Sequence, residues 1–139
     1  MDLLDTLNIS GSGLSAQRVR LQAVSSNMAN ARTTRTAEGG PYKRRVPVFE
    51  TEAVNRFGNE LERNLATVEV ASIETISDVE RVFDPTHPDA DADGFVAYPA
   101  INILEEMVDL MTTARTYEAN LKVVSVTTEM AQQALQLGG

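Results

Sequence analysis

From residue 103 to residue 135 the apolar positions fall at spacings of four and three: Ile103, Met107, Leu110, Ala114, Tyr117, Leu121, Val124, Thr128, Ala131 and Leu135. This is a heptad seam with one polar lapse at Thr128, and it predicts a helix of more than four heptads. Asn102, after Pro99 and with Glu105 three residues on, marks its start, and Gly138-Gly139 marks its stop. At roughly 1.5 Å per residue such a helix is about 50 Å long, more than a compact domain of this size covers by itself.

A second seven-residue register runs through the N-terminal segment at Leu7, Leu14, Leu21 and Met28, flanked by Leu3, Leu4 and Val24. Ser10-Gly11-Ser12-Gly13 lies inside it, and each glycine costs roughly 1 kcal/mol relative to alanine in a helix interior. Small residues compensate by letting a neighbouring backbone approach closely. The segment ends near Asn27-Met28-Ala29-Asn30.

Between these ends, residues 32–100 change to short alternating runs. Gly39-Gly40-Pro41 reads as a turn ahead of a strand at Val46, Val48 and Phe49, and Pro47 assigns that strand to a sheet edge. Val68-Glu69-Val70 with Ile73, then Val82-Phe83, then Phe95-Val96-Ala97-Tyr98, supply further short strands of a small β unit. Residues 55–64, with Phe57, Leu61 and then Leu65 at helical spacing around Gly58, stay unassigned. The expected fold is mainly α with a β-rich middle. An N-terminal axial helix (1–31) and a C-terminal axial helix (101–139) pair as a coiled coil on either side of a β-rich or extended region (32–100).

Charge sharpens this division. The 139 residues carry 12 Lys and Arg against 20 Asp and Glu, a net charge of −8. By segment the balance is 0 over 1–31, −5 over 32–100 and −3 over 101–139. The ends are the less charged parts, the reverse of solvated tails, so they should bury something. Burial on one seam cannot by itself order a helix of this length. The two terminal helices are therefore expected to pair with each other and with other subunits, and to be loosely ordered in an isolated monomer. An acidic chain disfavours nucleic acid as a partner. With no Cys, neither a disulfide framework nor a thiolate metal site is available. The opening Met1-Asp2 lacks a basic region followed by an apolar one, and no cleaved signal peptide is expected.

Candidate chemistry is sparse. Asp89, Asp91, Asp93 and Gly94 match the first half of a calcium loop, but position twelve is Ala100 where a bidentate Glu belongs, and a solvated acidic turn is the better reading. Gly11-x-Gly13-x-x-Ala16 satisfies a relaxed dinucleotide fingerprint, yet the residues before it are patterned as helix rather than strand. His87, between Pro85-Thr86 and Pro88, has no second His or Cys with which to share a metal and reads as a turn residue. Lys43-Arg44-Arg45, the basic cluster, is expected to meet carboxylates. No cofactor, metal or catalytic residue is assigned, and an enzyme is not expected.

Several strings together resemble the flagellar rod, hook and hook-associated axial proteins. The first match includes Ser26-Asn27-Met28-Ala29-Asn30-Ala31, Thr33-Thr34-Arg35-Thr36 and Glu38-Gly39-Gly40-Pro41-Tyr42-Lys43-Arg44-Arg45. The second runs from Asp84-Pro85-Thr86-His87-Pro88 through Asp93-Gly94-Phe95-Val96-Ala97-Tyr98-Pro99 to Glu105-Glu106-Met107-Val108-Asp109-Leu110 and Ala114-Arg115-Thr116-Tyr117-Glu118-Ala119-Asn120. Residues 50–83 match poorly, and Ala100 stands where the family has Asn, which leaves Asn102 as the cap.

The resemblance implies a structural subunit of the bacterial flagellar basal-body rod, assembling helically through its terminal helices and transmitting torque. Implied partners are copies of itself, other rod proteins, the membrane (MS) ring, rod-junction proteins and the flagellar type III export apparatus. The implied location is the periplasmic rod, reached without a cleaved signal. The candidate assembly interface comprises Leu7, Leu14, Leu21, Asn27, Met28 and Asn30 at one end, and Met107, Leu110, Ala114, Tyr117, Leu121, Val124 and Leu135 at the other. A coiled-coil adaptor or secretion chaperone that masks amphipathic helices shares the seam. It would be a stable dimer in solution, whereas a rod subunit would stay monomeric until nucleated.

Overall fold

The computed structural model describes residues 3–53 and 65–137. Helix α1 (Leu3–Ala29) leads into strands β1 (Arg44–Ala53), β2 (Ala66–Ile76), β3 (Val79–Phe83) and β4 (Phe95–Pro99), and helix α2 (Ile103–Leu137) closes the chain. The unassigned stretch at 55–64 lies outside the described residues. Two long helices flanking a small antiparallel β region agree with the expectation from periodicity.

Both helices form where the signals place them. Asn102 caps α2: its Oδ1 accepts the Leu104 N–H at 3.0 Å, its Nδ2 donates to Glu105 Oε1 at 3.1 Å, and its carbonyl accepts the Glu106 N–H. Helix α1 runs unbroken through Ser10-Gly11-Ser12-Gly13, and what comes close at Gly13 is a side chain rather than the expected neighbouring backbone. A Cβ built there would stand 3.0 Å from the Asn120 amide nitrogen of α2.

Gly13 faces Asn120, and Asn27 hydrogen-bonds Glu106, so the helices run antiparallel with opposed residue numbers summing to 133. On this register Leu3 stands opposite Met130, and the last seven residues of α2, 131–137, extend beyond the start of α1. At 1.5 Å per residue the overhang is roughly 10 Å.

The β region is two separate ribbons rather than the single unit expected. β1 pairs antiparallel with β2, and β3 pairs antiparallel with β4. In the first ribbon the register shifts between Val48, opposite Ser72, and Phe49, opposite Val70, which leaves Ala71 as the extra residue of a bulge. Pro47 sits beside that bulge on a strand with only one partner, where its missing N–H costs no ladder bond. The ribbon packs on α1 through both of its strands. There the Val68 N–H donates to Ser12 Oγ at 3.1 Å, while the Ser12 hydroxyl donates back to the Ile9 carbonyl.

In the second ribbon Gly94 takes φ +82°, and a Cβ there would lie 2.9 Å from Phe83 Cε2. Phe83 in turn meets Phe95 edge to face at 5.3 Å. Among the described residues the fully covered apolar side chains are few and mostly small: Ala16, Ala23, Val24, Ala31, Tyr42 and Val96.

Candidate assembly surface

The best-buried contact between the two helices is polar. Asn27, in the last turns of α1, makes four hydrogen bonds and so uses its whole amide. Its Nδ2 donates to the Arg45 carbonyl (2.9 Å) and to Glu106 Oε2 (3.1 Å). Its Oδ1 accepts from the Arg45 N–H (2.8 Å) and from the Tyr42 hydroxyl (3.1 Å). Arg44 adds Nε and Nη2 contacts to Glu106 Oε1, at 2.7 and 2.6 Å. The basic cluster therefore splits: Arg44 turns inward onto a carboxylate, as expected of a cation in an acidic chain, while Lys43 and Arg45 stay exposed. This junction ties the end of α1, the start of β1 and the first turns of α2 together. A buried carboxylate is tolerated there because a guanidinium and an amide satisfy it.

From that anchor the facing line between the helices continues at steps of seven. On α2 it comprises Glu106, Thr113, Asn120 and Thr127; opposite it on α1 stand Asn27, Arg20, Gly13 and Thr6. Arg20 reaches to Asp109, about one turn from Thr113 at its facing position, with Nη2 to Oδ1 at 2.5 Å and Nε to Oδ2 at 3.2 Å. The most deeply buried residues of α2 are Glu106, Thr113 and Thr127, all polar. Most of its large apolar side chains point elsewhere. Eleven of them are exposed, among them Leu104 at 72%, Val108 at 64% and Met111 at 57%.

The apolar seam expected to carry the pairing is thus displaced by one position. On α2, Leu110, Ala114, Tyr117 and Val124 lie half-buried toward α1, but Ile103, Met107, Leu121, Thr128 and Leu135 are exposed. On α1, Leu7, Leu14, Leu21 and Met28 are half-buried, each one residue past the facing line at 6, 13, 20 and 27. Asn27 does not reach the surface, because its amide is consumed inside the subunit. Asn30 is also engaged locally, donating to the Ser26 carbonyl at 2.9 Å and accepting from the Thr33 hydroxyl. Sequence reasoning passed over Glu106, Thr113, Asn120 and Thr127. Their own seven-residue spacing, matched by that of residues 6, 13, 20 and 27, was the available signal.

The acidic turn uses its carboxylates on itself and its neighbours. The Phe95 N–H, at 2.8 Å, leads the interactions that hold the Asp91 carboxyl below the usual carboxylate range, and the Arg81 side chain and the Asp93 N–H assist. The Thr86 hydroxyl and then its N–H do the same for Asp84. Asp89 accepts from Thr34 at 2.8 Å and lies 3.7 Å from the Arg35 guanidinium, tying this turn to the loop after α1. His87 accepts the Asp89 N–H through Nδ1 and packs edge to face near Tyr98. Among the described residues no group of three or more His, Asp or Glu could hold a metal ion. Nor is any described helix long and apolar enough to cross a membrane.

Two family models match the chain at its ends. Residues 7–35 match that of the flagella basal body rod protein, and residues 92–137 that of the flagellar basal body rod FlgEFG protein C-terminal region. The relatives include the flagellar basal-body rod protein FlgC of Borreliella burgdorferi, 37% identical across 99% of this chain and 98% of that protein. FlgC of Aquifex aeolicus is 40% identical, with 98% and 97% covered, and FlgC of Bacillus subtilis is 39% identical, with 99% of each covered.

Proposed function

This chain belongs to the family of the flagellar basal-body rod protein FlgC, and we propose that it assembles helically through its two terminal helices and passes torque along the rod. It is a structural subunit of the flagellar basal body and not an enzyme. The observation that supports the mode of assembly is the inverted character of α2, with polar residues at its best-covered positions and most of its large apolar ones exposed. Soluble monomers rarely expose a contiguous apolar surface of this kind, and such surfaces mark protein contacts. Contacts between unlike faces that do not close a ring generate a helical array.

In this reading Ile103, Met107, Leu121 and Leu135 meet neighbouring subunits in coiled-coil fashion, while Leu110, Ala114, Tyr117 and Val124, with Leu7, Leu14, Leu21 and Met28, join the helices of one subunit and border that contact. The neighbours are copies of the chain and other rod proteins. The membrane (MS) ring and rod-junction proteins adjoin the array, on its periplasmic stretch, and the flagellar export apparatus delivers the subunits.

Leu121→Asp tests the assignment, since Leu121 is half exposed in the single chain. The isolated variant should keep its circular dichroism and melting midpoint, while a strain relying on it should form no rods and not swim. Normal swimming would refute the outward face as the assembly surface.

A further inference from the structure

An antiparallel pair of helices held by leucines alone is ambiguous in register, because a slip of one heptad lays Leu14 where Leu7 had been and repeats the same contacts. The facing line of this pair is not repetitive. It sets Asn27 against Glu106 and the gap at Gly13 against Asn120. Moved by seven residues, Asn27 would face Thr113, Arg20 would face Asn120, and Glu106 with Arg44 would lose its amide partner. The price of this specificity is visible at Thr113. Only 2% of that residue is exposed, and its Oγ1 has no hydrogen-bond partner among the described residues. Such a group gives up its hydration without return.

We propose that the polar line Glu106, Thr113, Asn120 and Thr127 is a conformational device: it admits one alignment of the terminal helices, and its two buried threonines hold their pairing weak. The Asn27–Glu106–Arg44 junction anchors one end. Away from it, the threonines occupy the two best-covered positions of α2 where aliphatic side chains would bind α1 more tightly. The pair therefore stays loosely closed in the single chain and tightens when α2's exposed side chains are covered. The weakness is a property of the single chain, whereas its release by neighbours rests on the rod reading above.

The test uses the full chain carrying Thr113→Val and Thr127→Val together, with Thr113→Ser as the variant that keeps the hydroxyl. The valine variant should melt about 3–6 °C higher, and amide hydrogens of both helices should exchange several-fold more slowly than in the unaltered chain. The serine variant should not melt higher. In a strain lacking the native chain, the valine variant should enter rods less efficiently and give smaller swimming halos. An unchanged or lower midpoint for the valine variant would overturn the proposal, as would a raised midpoint in the serine variant. A higher midpoint with full incorporation would overturn the coupling to assembly alone. The melting arm is independent of the Leu121→Asp result, so failure of the rod reading and failure of the device are distinguishable.

Discussion

Asn27 and Glu106, 79 positions apart in sequence, meet side chain to side chain at 3.1 Å in a part of the molecule almost closed to water. Through this contact the first helix specifies where the last one starts. Glu106→Ala leaves the Arg44 guanidinium and one amide hydrogen of Asn27 without their acceptor. Breaking a buried ion pair from one side costs about 3–5 kcal/mol, and because Arg44 remains partly exposed a loss of roughly 2–3 kcal/mol is expected. Urea unfolding measures it, and a change below ~1 kcal/mol would show that the junction does not anchor the fold.

The two glycines of α1 should respond differently to alanine. Among the described residues nothing outside the helix's own backbone lies within 4 Å of the Cβ position at Gly11, so Gly11→Ala should gain helix propensity and stabilise by about 0.5–1 kcal/mol. At Gly13 the same gain is opposed by the Asn120 amide, which must move, and the net effect should be smaller. Thermal melting of both variants checks the order; a greater rise for Gly13→Ala would contradict the close approach of the helices.

Gly94 is constrained twice, by its positive φ and by the Phe83 ring. Gly94→Ala should therefore destabilise the β3–β4 ribbon by ~2 kcal/mol. Hydrogen exchange of amides in that ribbon should rise more than in α1. Uniform protection throughout would contradict the strain.

Asp84 and Asp91 titrate low because folding supplies hydrogen bonds to their charged forms. A depressed folded pKa means that the unfolded chain takes up these protons first. The contribution is fully present above the unfolded value, near pH 4, and fades as pH falls through the folded one. Thr86→Val removes the leading hydrogen bond to Asp84, so the Asp84 titration followed by NMR should move upward toward the ordinary range. An unmoved midpoint would place the cause elsewhere.

Much of the fold is legible from short-range signals. The cap at Asn102, the turn at Gly39-Gly40 and the four described strands follow from local chemistry, which the rest of the molecule does not override. The phase of the helix pair is less accessible. Hydrophobic periodicity reports which residues avoid water without reporting which neighbour removes it, and here Met107 and Leu121 are not covered by the chain's own α1. The inner face is written instead in Glu106, Thr113, Asn120 and Thr127, whose polarity disguises their inward position. The division of the β region into two ribbons likewise depends on pairing between distant segments, which alternation along one strand does not encode.

The overhang of α2 has a geometric consequence. Among the described residues one extremity of the subunit is a knot where α1, β1 and α2 meet, while at the other α2 runs on past Leu3 as a helical stub, so the two ends are not equivalent. A row of such bodies facing the same way possesses an arrow: every stub projects toward one pole and every knot toward the other, and a copy added backwards would present the wrong extremity to its neighbour.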